Sequence, residues 1–170
     1  MPPCGPRSRR RSPGRSGCTG AERHTGPPQN ARARDVRNPE SAVTDTHPLV
    51  FHAAGGGRLG PKAAAIFERC ERGEATLYVP AAVIWECSLL ARVARINLRR
   101  SVRAFFDDLF SNPAYQPLDL TSEQVFLADE LRFTRDPFDS LIVAAAQTVG
   151  LALVTRDGVI RESGTVRVLW

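Results

Sequence analysis

The chain has 170 residues, room for one ordinary domain and a further segment. Hydrophobic residues make up 42% of it, enough to build a core, and no apolar run reaches the ~18 residues that a membrane helix needs. The formal charge is +5, yet residues 1–40 carry nine arginines against Glu22, Asp35 and Glu40, a net of +6, which leaves −1 for residues 41–170. Global charge therefore excludes no class of partner for the second part.

Residues 1–40 hold seven of the thirteen prolines and five of the thirteen glycines, and Val36 is their only valine, leucine or isoleucine. Such a segment buries too little apolar surface to offset its ordering entropy, which predicts a disordered basic Pro/Gly/Arg-rich tail. Two origins fit it: a basic tail that holds RNA loosely, or a start assigned too far upstream, since an alternative start codon can encode Val43. The composition favours the second. No apolar h-region follows the early arginines, so a secretory signal is not expected.

Residues 41–170 alternate strand and helix signals. Ala42–Asp45 reads as a short strand, followed by His47 and Pro48. Pro61 opens a helix to Gly73, at a position where its missing N–H costs nothing. Ala75–Val79 reads as a buried strand, and Pro80 starts a helix through about Arg95. Arg99–Phe110 carries Val102, Phe105, Phe106 and Leu109 at amphipathic spacing. Pro117–Leu120 is a weak strand. Thr121 and Gln124 form a capping box for a helix ending near Phe133. Pro137 opens the helix Phe138–Val149, Leu151–Thr155 is an apolar strand, and Val166–Trp170 is a last one. This alternation predicts an α/β fold, a three-layer α/β/α sandwich with a mainly parallel sheet.

The four cysteines, Cys4, Cys18, Cys70 and Cys87, form no C-x-x-C pair and no zinc spacing. Cys70 and Cys87 fall in apolar helical stretches and read as buried, reduced thiols, which suits a cytoplasmic location. The acids are more informative. Asp45 ends the first strand and Asp157 lies just beyond Leu151–Thr155, so both fall where open α/β sheets bind ligands, outside the carboxyl ends of strands. Asp139 lies in the first turn of its helix. Glu86 sits among Val83, Ile84, Trp85, Leu89 and Leu90, and a carboxylate on so apolar a helix needs a partner, for which a cation is well suited. Each also has a structural explanation. Asp139 fits a helix-dipole acid, Asp157 a helix cap, and Glu86 a pair with Arg92 or Arg95.

Four stretches nevertheless stand together in one order: Thr44-Asp45-Thr46-His47, Val79-Pro80-Ala81-Ala82-Val83-Ile84-Trp85-Glu86, Arg135-Asp136-Pro137-Phe138-Asp139-Ser140-Leu141-Ile142-Val143-Ala144, and Leu153-Val154-Thr155-Arg156-Asp157. This pattern resembles PIN-domain ribonucleases, and more narrowly the VapC-type toxins of type II toxin–antitoxin systems, over nearly all of residues 43–170. The resemblance implies a magnesium-dependent (or manganese-dependent) ribonuclease domain over residues 41–170. Its metal would be held by Asp45 and Asp139, with Glu86 and Asp157 completing the catalytic site. It also implies an RNA substrate, a cognate antitoxin and a homodimer. Asp136 competes with Asp139, but Asp139 precedes Leu141-Ile142-Val143-Ala144 as the family's third acid does, which leaves Asp136 as a cap or supporting group. Pro48 departs from the pattern and should alter only the first helix.

Hard oxygen donors suit magnesium, which usually takes one or two carboxylates directly. No Cys/His or Ser/His/Asp constellation competes, and Gly55-Gly56-Gly57 lacks the Lys-Ser/Thr of a P-loop. Four neighbouring carboxylates repel one another and should raise at least one pKa. Arg92, Arg95, Arg99 and Arg103 would share a face if one helix ran through them, as a phosphate grip or as a solvated surface. His47 is expected to pack near Asp45 in a turn. Two competitors remain: a haloacid-dehalogenase-type phosphatase, weakened because His47 stands where a second aspartate is needed, and a degenerate PIN domain that binds RNA or protein without cutting.

Overall fold

The computed structural model describes residues 41–170. The tail expected over residues 1–40, with Cys4 and Cys18, lies outside the described residues. The first half of the described chain runs β1 (Ser41–Thr44), α1 (Thr46–Ala53), α2 (Pro61–Glu71), β2 (Thr76–Pro80), α3 (Ala81–Arg92), α4 (Val102–Ser111) and β3 (Tyr115–Leu118). The second half runs α5 (Ser122–Glu130), α6 (Pro137–Val149), β4 (Ala152–Val154), α7 (Gly158–Ser163) and β5 (Val168–Leu169).

The strands form one sheet in the order β3-β2-β1-β4-β5, and every pairing is parallel. The expectation of a mainly parallel sheet thus resolves to a wholly parallel one, because a helical crossover separates each strand from the next. Ala42, Val43 and Thr44 are all fully buried, as are Leu153 and Val154. Successive residues of a strand face opposite ways, so burial of consecutive positions means that both faces of the sheet are covered. That is the three-layer arrangement. Leu49, Phe67, Leu77, Val79, Ile142, Val143 and Ile160 fill the layers on either side of the strands.

Strand order reverses about β1. The chain first moves outward from β1 to β2 and β3, then returns to place β4 on the other side of β1. The carboxyl ends of β1 and β4 therefore flank a topological switch point, where parallel sheets leave a crevice. The backbone N–H of Asp45 donates to the Val154 carbonyl at 3.0 Å, carrying the pairing of these two strands one residue past β1.

Several boundaries differ from expectation for physical reasons. β1 starts at Ser41, whose partner is Thr76, so a start at Val43 would strip Ser41 and Ala42 from the ladder. His47 and Pro48 lie inside α1 and not in a turn; Pro48 is accommodated because the N–H groups of a first turn have no intrahelical partner. The helix expected to run to Arg95 stops at Arg92, and Ala94 takes a left-handed φ of 54°. α4 begins at Val102 behind a Ser101 cap. The proposed face of Arg92, Arg95, Arg99 and Arg103 is thus broken, and Arg103 pairs with Asp107 within α4. β5 shrinks to two residues because only Val168 and Leu169 meet β4. The Thr121/Gln124 capping box forms as read. Cys70 and Cys87 are free and buried, and burial pushes their thiols up to about 11 and about 12, which leaves them unreactive.

Candidate functional site

Three helices begin around the crevice, and an aspartate caps each. Asp45 accepts from the Thr46 N–H and starts α1, Asp136 accepts from the Phe138 N–H at 2.8 Å and starts α6, and Asp157 accepts from the Ile160 N–H at 2.9 Å and starts α7. The positive ends of these helices partly offset the negative charge gathered there. Asp136 thus has the capping role expected of it, and Asp157 both caps and lines the cleft. Asp139 lies in the first turn of α6, and Glu86 projects from the middle of α3.

All four predicted acids, Asp45, Glu86, Asp139 and Asp157, line one cleft of about 1290 Å³, together with Asp136. Threonine hydroxyls orient them. Asp45 is buried, with the Thr46 N–H donating to Oδ1 at 2.5 Å and the Thr155 hydroxyl to Oδ2 at 2.6 Å. The Thr46 hydroxyl donates to Glu86 Oε2 at 2.5 Å. Glu86 therefore bonds across to α1, not to Arg92 or Arg95; Arg92 stacks over Trp85 instead. The Thr155 hydroxyl also accepts from the Asp157 N–H at 3.0 Å. Thr134 does the same on the far side, accepting from the Asp136 N–H at 3.0 Å and donating to Asp139 Oδ2 at 3.3 Å. Thr46 and Thr155 stand within the acid motifs, and Thr134 lies one residue before the third of them. The signal was there: Thr46 and Thr155 each stand within two residues of a site aspartate.

Crowding and burial raise the proton affinity of the cluster. Asp139 is pushed up to about 7, first by burial and then by the charges of Asp136, Asp157 and Asp45. Burial also raises Asp45, against the Thr155 hydrogen bond. Glu86 is raised by burial, with Asp45 adding to it and the Thr46 hydroxyl opposing it. His47 is exposed on the rim, and its charge favours ionised Asp45 and Glu86. His52, which carried no argument in the sequence, stacks on Phe67 at 4.3 Å and meets Glu71 and the Tyr115 hydroxyl at 3.2 Å, outside the cleft.

The donors are all carboxylate oxygens, the hard ligands that suit magnesium or manganese. Among the described residues no three acidic, histidine or cysteine side chains converge tightly enough to enclose an ion as they stand. Enclosing one would require the carboxylates to draw together, and Asp139 and Asp157 are only half-buried. The donor chemistry fits a divalent ion.

No curated protein matches the chain in sequence. Among solved structures, VapBC2 from Rickettsia felis, bound to a DNA fragment from its promoter, aligns with a TM-score of 0.55 at 16% identity, covering 75% of this chain and 96% of that one. A toxin–antitoxin complex from Klebsiella pneumoniae gives 0.52 at 17% identity over 76% and 96%. PAE2754 from Pyrobaculum aerophilum gives 0.50 at 18% over 76% and 83%. At these identities the likeness is one of fold. The PIN domain family itself matches residues 42–164, the span that contains the whole acid cleft. With that match over a wholly parallel sheet whose switch point gathers the acids, the chain belongs to the PIN-domain family.

Proposed function

We propose that the chain is a magnesium-dependent ribonuclease, with manganese as a substitute, and the toxin of a toxin–antitoxin pair. The observation that carries this reading is the lining of one cleft, outside the carboxyl ends of β1 and β4, by Asp45, Glu86, Asp139 and Asp157. Asp45 and Asp139 would hold the ion, with Glu86 and Asp157 completing the site. When bound, such an ion neutralises charge on the phosphoryl oxygens and makes water easier to deprotonate.

The chain's own residues supply orientation and protons. The Thr46 N–H and the Thr155 hydroxyl each take one lone pair of an Asp45 oxygen, so the remaining lone pairs are fixed in direction. Thr46 ties Glu86 to the same point, so one residue sets two acids. Burial and the neighbouring charges push Asp139 up to about 7, so a bound cation, by offsetting that repulsion, would favour its ionised form. The site is thereby poised to form on binding. The folds it resembles include toxin–antitoxin complexes, which supports an antitoxin partner here.

The test is cleavage of total RNA by the purified chain with magnesium, with manganese and with chelator, alongside single-stranded DNA. The expected result is RNA cleavage that needs the ion. Co-expression with the product of the adjacent reading frame should give a stable complex that suppresses it. RNA binding without cleavage under any metal would replace this reading with a non-catalytic RNA-binding PIN domain.

A further inference from the structure

An acidic cleft repels a polyanion, so an RNA that enters this one needs cations beside it. Of the arginines between Arg92 and Arg103, the break after α3 leaves only Arg95 on the cleft wall, and Arg100 and Arg103 are spent on Asp108 and Asp107. Two other arginines occupy the cleft wall. Arg58 comes from the turn between α1 and α2, and Arg156 follows β4 immediately before Asp157. Their guanidinium carbons lie 5.6 Å and 5.5 Å from the centre of the same ring, Phe51 of α1.

We propose that Arg58 and Arg156, stacked on Phe51, form a phosphate clamp that holds the RNA backbone next to the bond to be cut. The proposal rests on the ribonuclease reading of the cleft. Phe51 is buried, so the platform is fixed. The turn that delivers Arg58 is fixed too. Gly55 and Gly56 adopt φ of 101° and 78°, and the Gly56 N–H donates to the Phe51 carbonyl at 2.8 Å. Leu59, the next residue, packs against the core. The triple glycine that fails as a P-loop thus has a use: it folds the chain back so that Arg58 overlies Phe51. Arg156 is set by its neighbour Thr155, whose hydroxyl is bonded to Asp45.

Five carboxylates line the same cleft, yet among the described residues neither arginine forms an ion pair; the pairs that exist lie elsewhere. A guanidinium held over an aromatic ring by cation–π attraction keeps its N–H groups for a phosphate. Two such groups on one ring, one of them adjacent in sequence to a site aspartate, suit a backbone phosphate that flanks the reacting one. They suit it through charge and geometry, without reading a base.

The test is binding of a fluorescent single-stranded RNA to the full chain with magnesium chelated, so that turnover plays no part, followed by single-turnover cleavage with magnesium. Arg58→Gln and Arg156→Gln should each weaken binding about tenfold and flatten the slope of log K against log salt by about 0.7, the release expected for one phosphate contact on a single strand. The half-saturating RNA concentration should rise more than the saturated rate falls. Arg58→Lys should restore the salt slope but only part of the affinity, since the ring stacking is lost. Arg72→Gln, in the turn before β2 and paired with Glu74, should change none of these. Wild-type affinity and slope in both glutamine variants would overturn the clamp, as would an equal loss in Arg72→Gln. A wild-type chain that binds RNA through these arginines without cutting it would overturn the ribonuclease reading and keep the clamp.

Discussion

Replacing Asp139 with asparagine separates a metal-site carboxylate from an ordinary helix-start acid, because the two predict opposite signs. In the fold Asp139 is pushed up to about 7, whereas its ordinary value is 3.8. The unfolded chain therefore ionises this group above about pH 4, while the folded chain holds the proton until about pH 7. Its contribution to stability is fully present below the lower value and is lost as pH rises through the higher one. A shift of about three units corresponds to a ceiling of about 4 kcal/mol. The side chain is half-buried, and solvent screening reduces this to about 1–2 kcal/mol. Asparagine keeps an oxygen for the Thr134 hydroxyl but gives up the favourable helix-dipole interaction of an anion, about 0.3–1 kcal/mol. The net is stabilisation of about 1 kcal/mol at pH 8 in chelator, or about 4 °C in melting temperature for a domain of this size, vanishing near pH 4. Magnesium should then raise the wild-type melting temperature and not that of Asp139→Asn, and RNA cleavage should fall by orders of magnitude in the variant. The assay is thermal melting across pH 4–8 with and without magnesium, paired with single-turnover cleavage. A lower melting temperature at pH 8 together with retained cleavage would refute the reasoning.

Three further outcomes are expected. Ala94 holds a left-handed φ of 54° after α3, a conformation that costs a residue with a Cβ about 1 kcal/mol, so Ala94→Gly should raise the denaturant midpoint by a corresponding amount without changing the slope. Gly60 lies under Trp170; a Cβ there would stand 2.7 Å from a Trp170 backbone carbon and 2.8 Å from its ring, so Gly60→Ala should lower stability by about 1–3 kcal/mol in the same assay. A chain beginning at Pro39 keeps β1 whole and should melt and cleave like the full one, whereas a loss of folding would show that residues 1–38 contribute structure.

The alternation of strands and helices was legible because parallel strands covered on both faces read as unbroken apolar runs, as in Leu77–Val79 and Ala152–Val154. α1 was not, since His47-Pro48 carries the signature of a turn and only tertiary packing of Leu49 and Phe51 makes it a helix. The arginine face, read as conditional on one continuous helix, does not form for a related reason. Nothing in Val93-Ala94-Arg95 announces a left-handed residue, so the point at which the helix ends is not written in the local sequence. The acids could be ordered by motif, and the structure brings all four to one cleft. What holds them could not. The hydrogen bond from Thr155 to Asp45 spans 110 positions, and the stacking of Arg156 on Phe51 is as remote in sequence, so no local pattern records either.

The sharing of roles at the cleft also bears on how such a chain can decay. Asp45, Asp136 and Asp157 each start a helix, so a lineage that no longer needed the chemistry would still be penalised for losing them, at roughly 0.5–2 kcal/mol per cap. Folding alone preserves that part of the acidic signature. Glu86 and Asp139 cap nothing, so the cost of their half-buried charges in the absence of a cation, a cost Asp45 shares, is not offset by a helix start. Drift would remove these two first. In a descendant of this chain, the amides or alanines that mark a silenced enzyme should therefore appear at positions 86 and 139, while the three capping aspartates persist as relics of an activity already gone.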